Sequence, residues 1–357
     1  MPRPRLDPRT PLSELHVHLG AAVTPAIMWG IAHAQGIRLP TKDYWAFRDL
    51  ITVGRRRSGF DAYLDLFHWT ELIQSSPIAV ERSVYEVIGG AYRRNNVTQV
   101  ELRFNPMKRN RGGEQDLDHI IAAAVRGMDR AVLEYPQVRA GLIFCLDRGF
   151  SPALNEIIAA KAVAWQSRGV VGIDIAGPAV DGFRFADYAA IYADCRRAGL
   201  GLTVHAGETG GADEVREALE ALEPDRIGHG VHSADDPRVL DALRERGTVL
   251  EICPSSNLNT GVLRNMGDIR RVLRAMLDHR VRFTISTDGP EMLRTYLRDE
   301  LQLLLRHEIL SLEEVERVIA IGAEASFLDR APVIASSVRG RTRGRNGHAA
   351  IPVEVGS

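Results

Sequence analysis

The side chains best suited to chemistry in this chain are histidines and carboxylates that each follow a short apolar run. His16 and His18 are one residue apart. Residues i and i+2 of a strand project from the same side, so both imidazoles face one way, as a first pair of metal ligands would. The arrangement recurs downstream: Leu202-Thr203-Val204 leads into His205-Ala206-Gly207-Glu208, Arg226-Ile227-Gly228 into His229-Gly230, and Ile285-Ser286-Thr287 into Asp288-Gly289-Pro290. The glycine that follows each ionisable group lets backbone or substrate approach closely. His16, His18, His205 and Asp288 form a set of three imidazoles and a carboxylate. That set suits Zn²⁺, with Fe²⁺ or Co²⁺ as alternatives, and is too nitrogen-rich for Ca²⁺ or Mg²⁺. We therefore expect one zinc per chain, which would lower the pKa of a bound water toward neutrality. Glu208 is placed to give or take a substrate proton if burial raises its pKa, and His229 to orient or deprotonate the water. These residues together imply a hydrolase or deaminase acting at an electrophilic carbon.

Such groups can meet only if the strands that carry them are neighbours. Apolar, β-rich runs at residues 12–17, 98–104, 140–146, 170–175, 201–204, 226–227, 248–252 and 282–286 read as strands, the sixth being the shortest. Helical periodicity separates them: Val80, Val84, Val87, Ile88 and Ala91 share one face, as do Ile120, Ile121, Ala124, Val125 and Met128. Shorter helical patterns cover 163–168, 185–198, 213–222 and 239–246. Strand–helix alternation implies a mostly parallel sheet, and eight strands suit a closed α/β fold, a (β/α)8 TIM barrel whose strand C-termini converge on one mouth. A doubly wound sheet is the competitor, but P-loop and dinucleotide fingerprints are missing. The domain reading is one barrel domain over 1–330. Within it, 24–76 is too long for a βα loop and carries Trp29, Tyr44, Trp45, Phe47, Phe60, Tyr63, Phe67 and Trp69. It reads as a helical insertion that walls a pocket at the upper rim or forms a satellite core. Residues 331–357 read as a disordered Arg/Gly-rich tail.

Composition excludes several classes. A 357-residue chain with 45% hydrophobic and 25% charged residues has ample material for a core. Lys+Arg 45 against Asp+Glu 46 leaves a net charge of -1, so no global positive field would hold nucleic acid. Cys145, Cys195 and Cys253 are too few and too widely spaced for a disulfide framework or a four-thiolate zinc knot. No signal peptide or 18-residue apolar span is evident, so the expectation is a cytoplasmic protein with a small-molecule substrate, no nucleic-acid or membrane partner, and oligomerisation left open.

The chain resembles the adenosine/AMP deaminase family. The matching stretches are SELHVHLGA (13–21), VELRFNP (100–106), GIDIAG (172–177), VHAGE (204–208), RIGHG (226–230), EICPSSN (251–257), STDGP (286–290) and EASFL (324–328). The resemblance implies a zinc held by His16, His18, His205 and Asp288. It also implies that Glu208 protonates N1 of a 6-aminopurine while His229 and Asp288 hold the attacking water, with the backbone of Gly177 meeting purine N3. A proton on N1 makes C6 electrophilic and captures the charge that develops on attack. The expected reaction is zinc-dependent hydrolytic deamination of adenosine or a modified adenosine to the 6-oxo product and ammonia. Three positions depart from the family pattern. Gly20 and Gly289 stand where carboxylates reach the ribose 5′-hydroxyl and purine N7, and Pro178-Ala179-Val180 replaces the usual Asp-Glu stretch. These departures predict altered substrate reading, with a substrate group filling space near Gly20 and packing against the insertion. Aminodeoxyfutalosine, adenine or another amino-heterocycle is the alternative substrate.

Three other classes remain to be distinguished. Deaminases of nucleic acids need HxE with PCxxC, and Cys253-Pro254 has no second cysteine at that spacing. Many two-metal amidohydrolases use a carboxylated lysine after strand four, where Gly172-Ile173-Asp174-Ile175 offers none. A non-catalytic binding module would more naturally have lost a ligand.

Overall fold

The computed structural model describes residues 5–54, 59–110 and 116–330; the 331–357 tail lies outside them. Eight parallel strands are hydrogen-bonded in chain order: β1 (Leu12–His18), β2 (Val97–Phe104), β3 (Arg139–Asp147), β4 (Val170–Ala176), β5 (Gly201–Ala206), β6 (Arg226–His229), β7 (Val249–Ile252) and β8 (Phe283–Ile285). Runs such as Leu142-Ile143-Phe144-Cys145-Leu146 are buried throughout, as strands covered on both faces must be. The ends of the sheet meet where His18 N–H donates to Asp288 O (2.9 Å) and Asp288 N–H to His16 O (2.8 Å). This nearly closes the (β/α)8 barrel, and it does so at the residues that carry chemistry.

The helical faces read from periodicity are the buried ones. Val80, Val84, Val87 and Ile88 face inward from helix Pro77–Asn95, and Ile120, Ile121, Ala124, Val125 and Met128 from helix Leu117–Glu134. Boundaries differ in places. The 163–168 pattern is the end of a longer helix, Pro152–Ala164, capped by Ser151 and followed by a short 3₁₀ turn. Strand six extends through His229, where the alternating pattern is too short to be read from sequence. The insertion after β1 contains helices Pro25–Ala34, Tyr44–Leu50 and Phe60–Ile73. Its aromatics divide between two tasks. Trp29 packs on Tyr44 and on Phe47 and joins the main hydrophobic core with Phe47, whereas Phe60, Tyr63 and Phe67 line a cavity at the barrel mouth, Tyr63 and Phe67 within a small separate cluster. Among the described residues no helix is long and apolar enough to cross a membrane.

Candidate active site

The strand ends deliver the expected groups to one place. His18 Nε2 lies 3.2 Å from His205 Nε2 and 3.5 Å from Asp288 Oδ1, and His16 Nε2 lies 3.8 Å from the same oxygen. Candidate ligand atoms of His16, His18 and His205, and of His16, His229 and Asp288, each fall within 4.8 Å of one another. The backbone is unusual here. His229 and Asp288 have φ of 60° and 64°, a left-handed conformation that costs non-glycine residues energy and is kept where the surroundings impose it.

Beneath the histidines lies a layer of charge that the sequence reading did not single out. Arg103 and Arg226 extend into the barrel interior with Glu101, Asp174 and Glu251, all buried. Arg103 Nη1 meets Asp174 Oδ2 at 3.0 Å and its Nη2 meets Glu251 Oε2 at 2.8 Å; Arg226 bonds Glu251 Oε1 at 2.7 Å and Glu101 Oε2 at 2.5 Å. Those carboxylates hold the imidazoles in turn: Glu251 Oε2 is 2.7 Å from His16 Nδ1, and Asp174 Oδ2 is 3.0 Å from His205 Nδ1. Burial alone would push Asp174 up, but His205 and Arg103 outweigh it and hold the carboxyl well below its usual range. Carboxyl oxygens as acceptors at both Nδ1 atoms keep protons there and leave Nε2 free to face the site. A signal existed in the alternation of charged residues Glu101 and Arg103 within an otherwise apolar strand.

That arrangement fits a metal ion. His16 Nε2 is buried without a hydrogen-bond partner, although buried polar atoms are ordinarily paired. Burial first, then the positive field of Arg103 and neighbouring imidazoles, pushes the pKa values of His16 and His18 well down. Neutral imidazole is the ligating form. The cluster is compatible with one metal held by nitrogen and carboxylate ligands.

Around the cluster, Glu208 is pushed well up, first by burial and then by Asp288, which favours its protonated form. Its Oε2 lies 3.6 Å from His229 Nε2. Asn257 Nδ2 sits 3.1 Å from His229 Nδ1 and Ser256 Oγ donates to Asp288 Oδ2 at 2.6 Å, both from helix Pro254–Asn259. Above lies a cavity of about 310 Å³ lined by His18, Gly20, Tyr63, Phe67, Gly177, Glu208, His229 and Asp288 among others. This is the small end of the range for small-molecule sites, about 300–1,000 Å³.

The three glycines expected to meet substrate are placed differently. Gly177 lines the cavity with a φ of 107°, and Gly20 lines it too. Gly289 is not part of the lining. The space expected to be vacant beside Gly20 is filled: a Cβ there would lie 2.8 Å from Phe67 Cδ1 and 3.1 Å from Arg109 Nη2. Phe67 of the insertion and Arg109, which follows β2, occupy the place a side chain at position 20 would take.

Fold and site define a metal-dependent amidohydrolase of the (β/α)8 class. The adenosine deaminase family model matches residues 11–335, and the chain belongs to that family. Relatives named adenosine deaminase include those of Clostridium perfringens (28% identical, 89% of this chain and 94% of the relative) and Shewanella woodyi (29% identical, covering 89% and 94%). Among solved structures the fold is similar to adenine deaminase from Arthrobacter aurescens (TM-score 0.79, 22% identity, 89% of this chain and 94% of that one). It is also similar to Arabidopsis N6-mAMP deaminase (TM-score 0.76, 22% identity, covering 90% and 94%). The protein is a hydrolase acting on C–N bonds, with the hydrolytic deamination chemistry of an aminopurine-like substrate.

Proposed function

We propose that this enzyme deaminates a 6-aminopurine nucleoside, adenosine or a close derivative, using one zinc held by His16, His18, His205 and Asp288. The observation that carries the reading is the buried Glu208, 3.6 Å from His229, beside a cluster of histidines at the floor of a small cavity. A zinc bound there supplies Lewis acidity, which allows water to act as a nucleophile at neutral pH.

The chain's own groups supply the rest. Glu208 donates its proton to purine N1, which draws electron density from C6 as water adds. With Asn257 donating to Nδ1, His229 carries its proton on Nε2 and donates toward the entering oxygen, stabilising charge there rather than removing a proton. Asp288, steadied by Ser256 and by the backbone bonds to β1, accepts the proton lost by the water and returns it to the exocyclic amine; the C6–N bond then breaks to release ammonia, and the remaining hydroxyl proton passes to Glu208 as the 6-oxo group forms. Gly177 presents its backbone to the far edge of the base. Tyr63, Phe67 and Phe60 cover the mouth and exclude solvent from the reacting carbon.

Free adenine is the second reading, favoured by the side chains that fill the space beside Gly20. Ammonia release from adenosine, 2′-deoxyadenosine, adenine and aminodeoxyfutalosine separates the two, with metal content measured on the same preparation. The nucleoside reading expects the highest kcat/KM for an adenosine and about one metal per chain. Release from none of these compounds, or a requirement for two metals, overturns it.

A further inference from the structure

Helix Phe60–Ile73 lowers two aromatic side chains, Tyr63 and Phe67, onto two glycines. Residues four apart share a helical face, and here that face descends on Gly20 and Gly289 together. A Cβ on Gly289 would lie 2.6 Å from Tyr63 Oη and 2.8 Å from Ala21 Cβ, while one on Gly20 would lie 2.8 Å from Phe67 Cδ1. The φ of Gly289 is -136°, which any residue adopts, so its backbone does not demand glycine. The tyrosine does.

Tyr63 lines the cavity, and its buried hydroxyl makes one long hydrogen bond, donating to Asp288 Oδ2 at 3.3 Å. Ser256 already holds that oxygen at 2.6 Å, so the phenol can turn to another acceptor at little cost. A phenol carries an O–H and can donate to that acceptor. Its location selects the acceptor. Tyr63 sits against the end of β8, where the barrel closes on β1, and Glu208 follows β5 across the mouth. In a 6-aminopurine, C6 is flanked by N1 on one side and by C5 and N7 on the other. With N1 toward Glu208, N7 turns toward Tyr63. N7 carries no proton and can only accept.

We infer that Tyr63, supplied by the insertion, is a specificity-determining residue that donates a hydrogen bond to purine N7. The inference rests on the aminopurine reading above. Gly289 keeps its place clear, and a neutral donor stands where a side chain at 289 would otherwise reach.

The test compares adenosine with 7-deazaadenosine, which has C–H in place of N7, in the wild type and in Tyr63→Phe. Leaving a buried donor or acceptor unpaired costs enough to change kcat/KM about ten- to a hundredfold. Y63F should lose that factor on adenosine and less than about threefold on 7-deazaadenosine, with metal content unchanged. Calorimetric binding of inosine and 7-deazainosine should show the same contrast without turnover. Equal losses on both compounds would assign Tyr63 to holding Asp288 alone and overturn the inference, as would no loss on either. Absence of ammonia from every aminopurine in the wild type would instead overturn the substrate reading, and the inference with it. If adenine proves the better substrate, adenine and 7-deazaadenine replace the nucleosides with the same criteria.

Discussion

Replacing Glu251 by glutamine keeps the side chain's shape and removes its charge. Four donors converge on this carboxylate: His16 Nδ1 at 2.7 Å and Arg103 Nη2 at 2.8 Å on Oε2, Arg226 Nε at 2.7 Å and Thr203 Oγ1 at 3.2 Å on Oε1. An amide offers one oxygen and one NH2 group. Whichever way it turns, one guanidinium loses its acceptor, and the bond to His16 becomes a neutral one or is lost. The two buried arginines are then balanced by Glu101 and Asp174 without the carboxylate that both share. Breaking buried ion pairs by removing one partner costs about 3–5 kcal/mol. At about 2.1 cal/mol/K per residue over roughly 330 folded residues, that lowers Tm of the metal-free protein by about 4–7 °C. Weakening the support of a metal-ligating histidine costs about 10–100-fold in metal affinity. The assay is competition for Zn²⁺ with a chromophoric chelator, alongside thermal unfolding of the metal-free protein. Zinc affinity within about twofold of wild type would show that Glu251 does not orient His16. An unchanged Tm would refute the charge-balance reasoning.

Glu208→Gln should retain the metal and lose about 10²–10⁴ in kcat, whereas His205→Ala should lose the metal; metal analysis and single-turnover kinetics check both. Glu300 is buried, accepts from Ser255 N–H and Thr295 Oγ1, and is pushed up to about 7 from 4.5 chiefly by burial. Between those two values the folded state holds a proton that the unfolded state has released, so stability falls as pH rises through that window. The total is about 3 kcal/mol, and Glu300→Gln should flatten the slope in denaturant unfolding from pH 5 to 8. Gly289→Ala should cost about 1–3 kcal/mol through overpacking against Tyr63 and Ala21, and Tyr63→Phe should recover part of that cost by removing the hydroxyl. A coupling energy below about 0.3 kcal/mol in the double-mutant cycle would show that the two positions are independent.

Chemistry at strand ends is readable because it follows the strand period: His16 and His18 must point one way, and an apolar run must end near its ionisable residue. The helical faces at 80–91 and 120–128 were legible for the same reason, since burial of one stripe imposes the 3.6-residue period. Glu251 and Asp174 were not assigned a role, because a carboxylate inside a strand shows no partner in the sequence. Its partners Arg103 and Arg226 are 148 and 25 residues from Glu251. The fate of the three glycines expected to meet substrate was illegible too. An absent side chain leaves open whether the space is empty or taken by a neighbour distant in sequence.

The sequence by itself determined that candidate metal ligands and proton-transfer groups sit at the C-terminal ends of strands in a (β/α)8 chain, since local periodicity governs where each side chain points. Only the tertiary structure decided what surrounds them. Closing β8 onto β1 set Asp288 against His16 and His18, packing of the barrel interior joined Arg103 to the carboxylates that hold the histidines, and the descent of helix Phe60–Ile73 filled the places at Gly20 and Gly289. Each is a contact between segments far apart in the chain, and its geometry exists only once the barrel has closed.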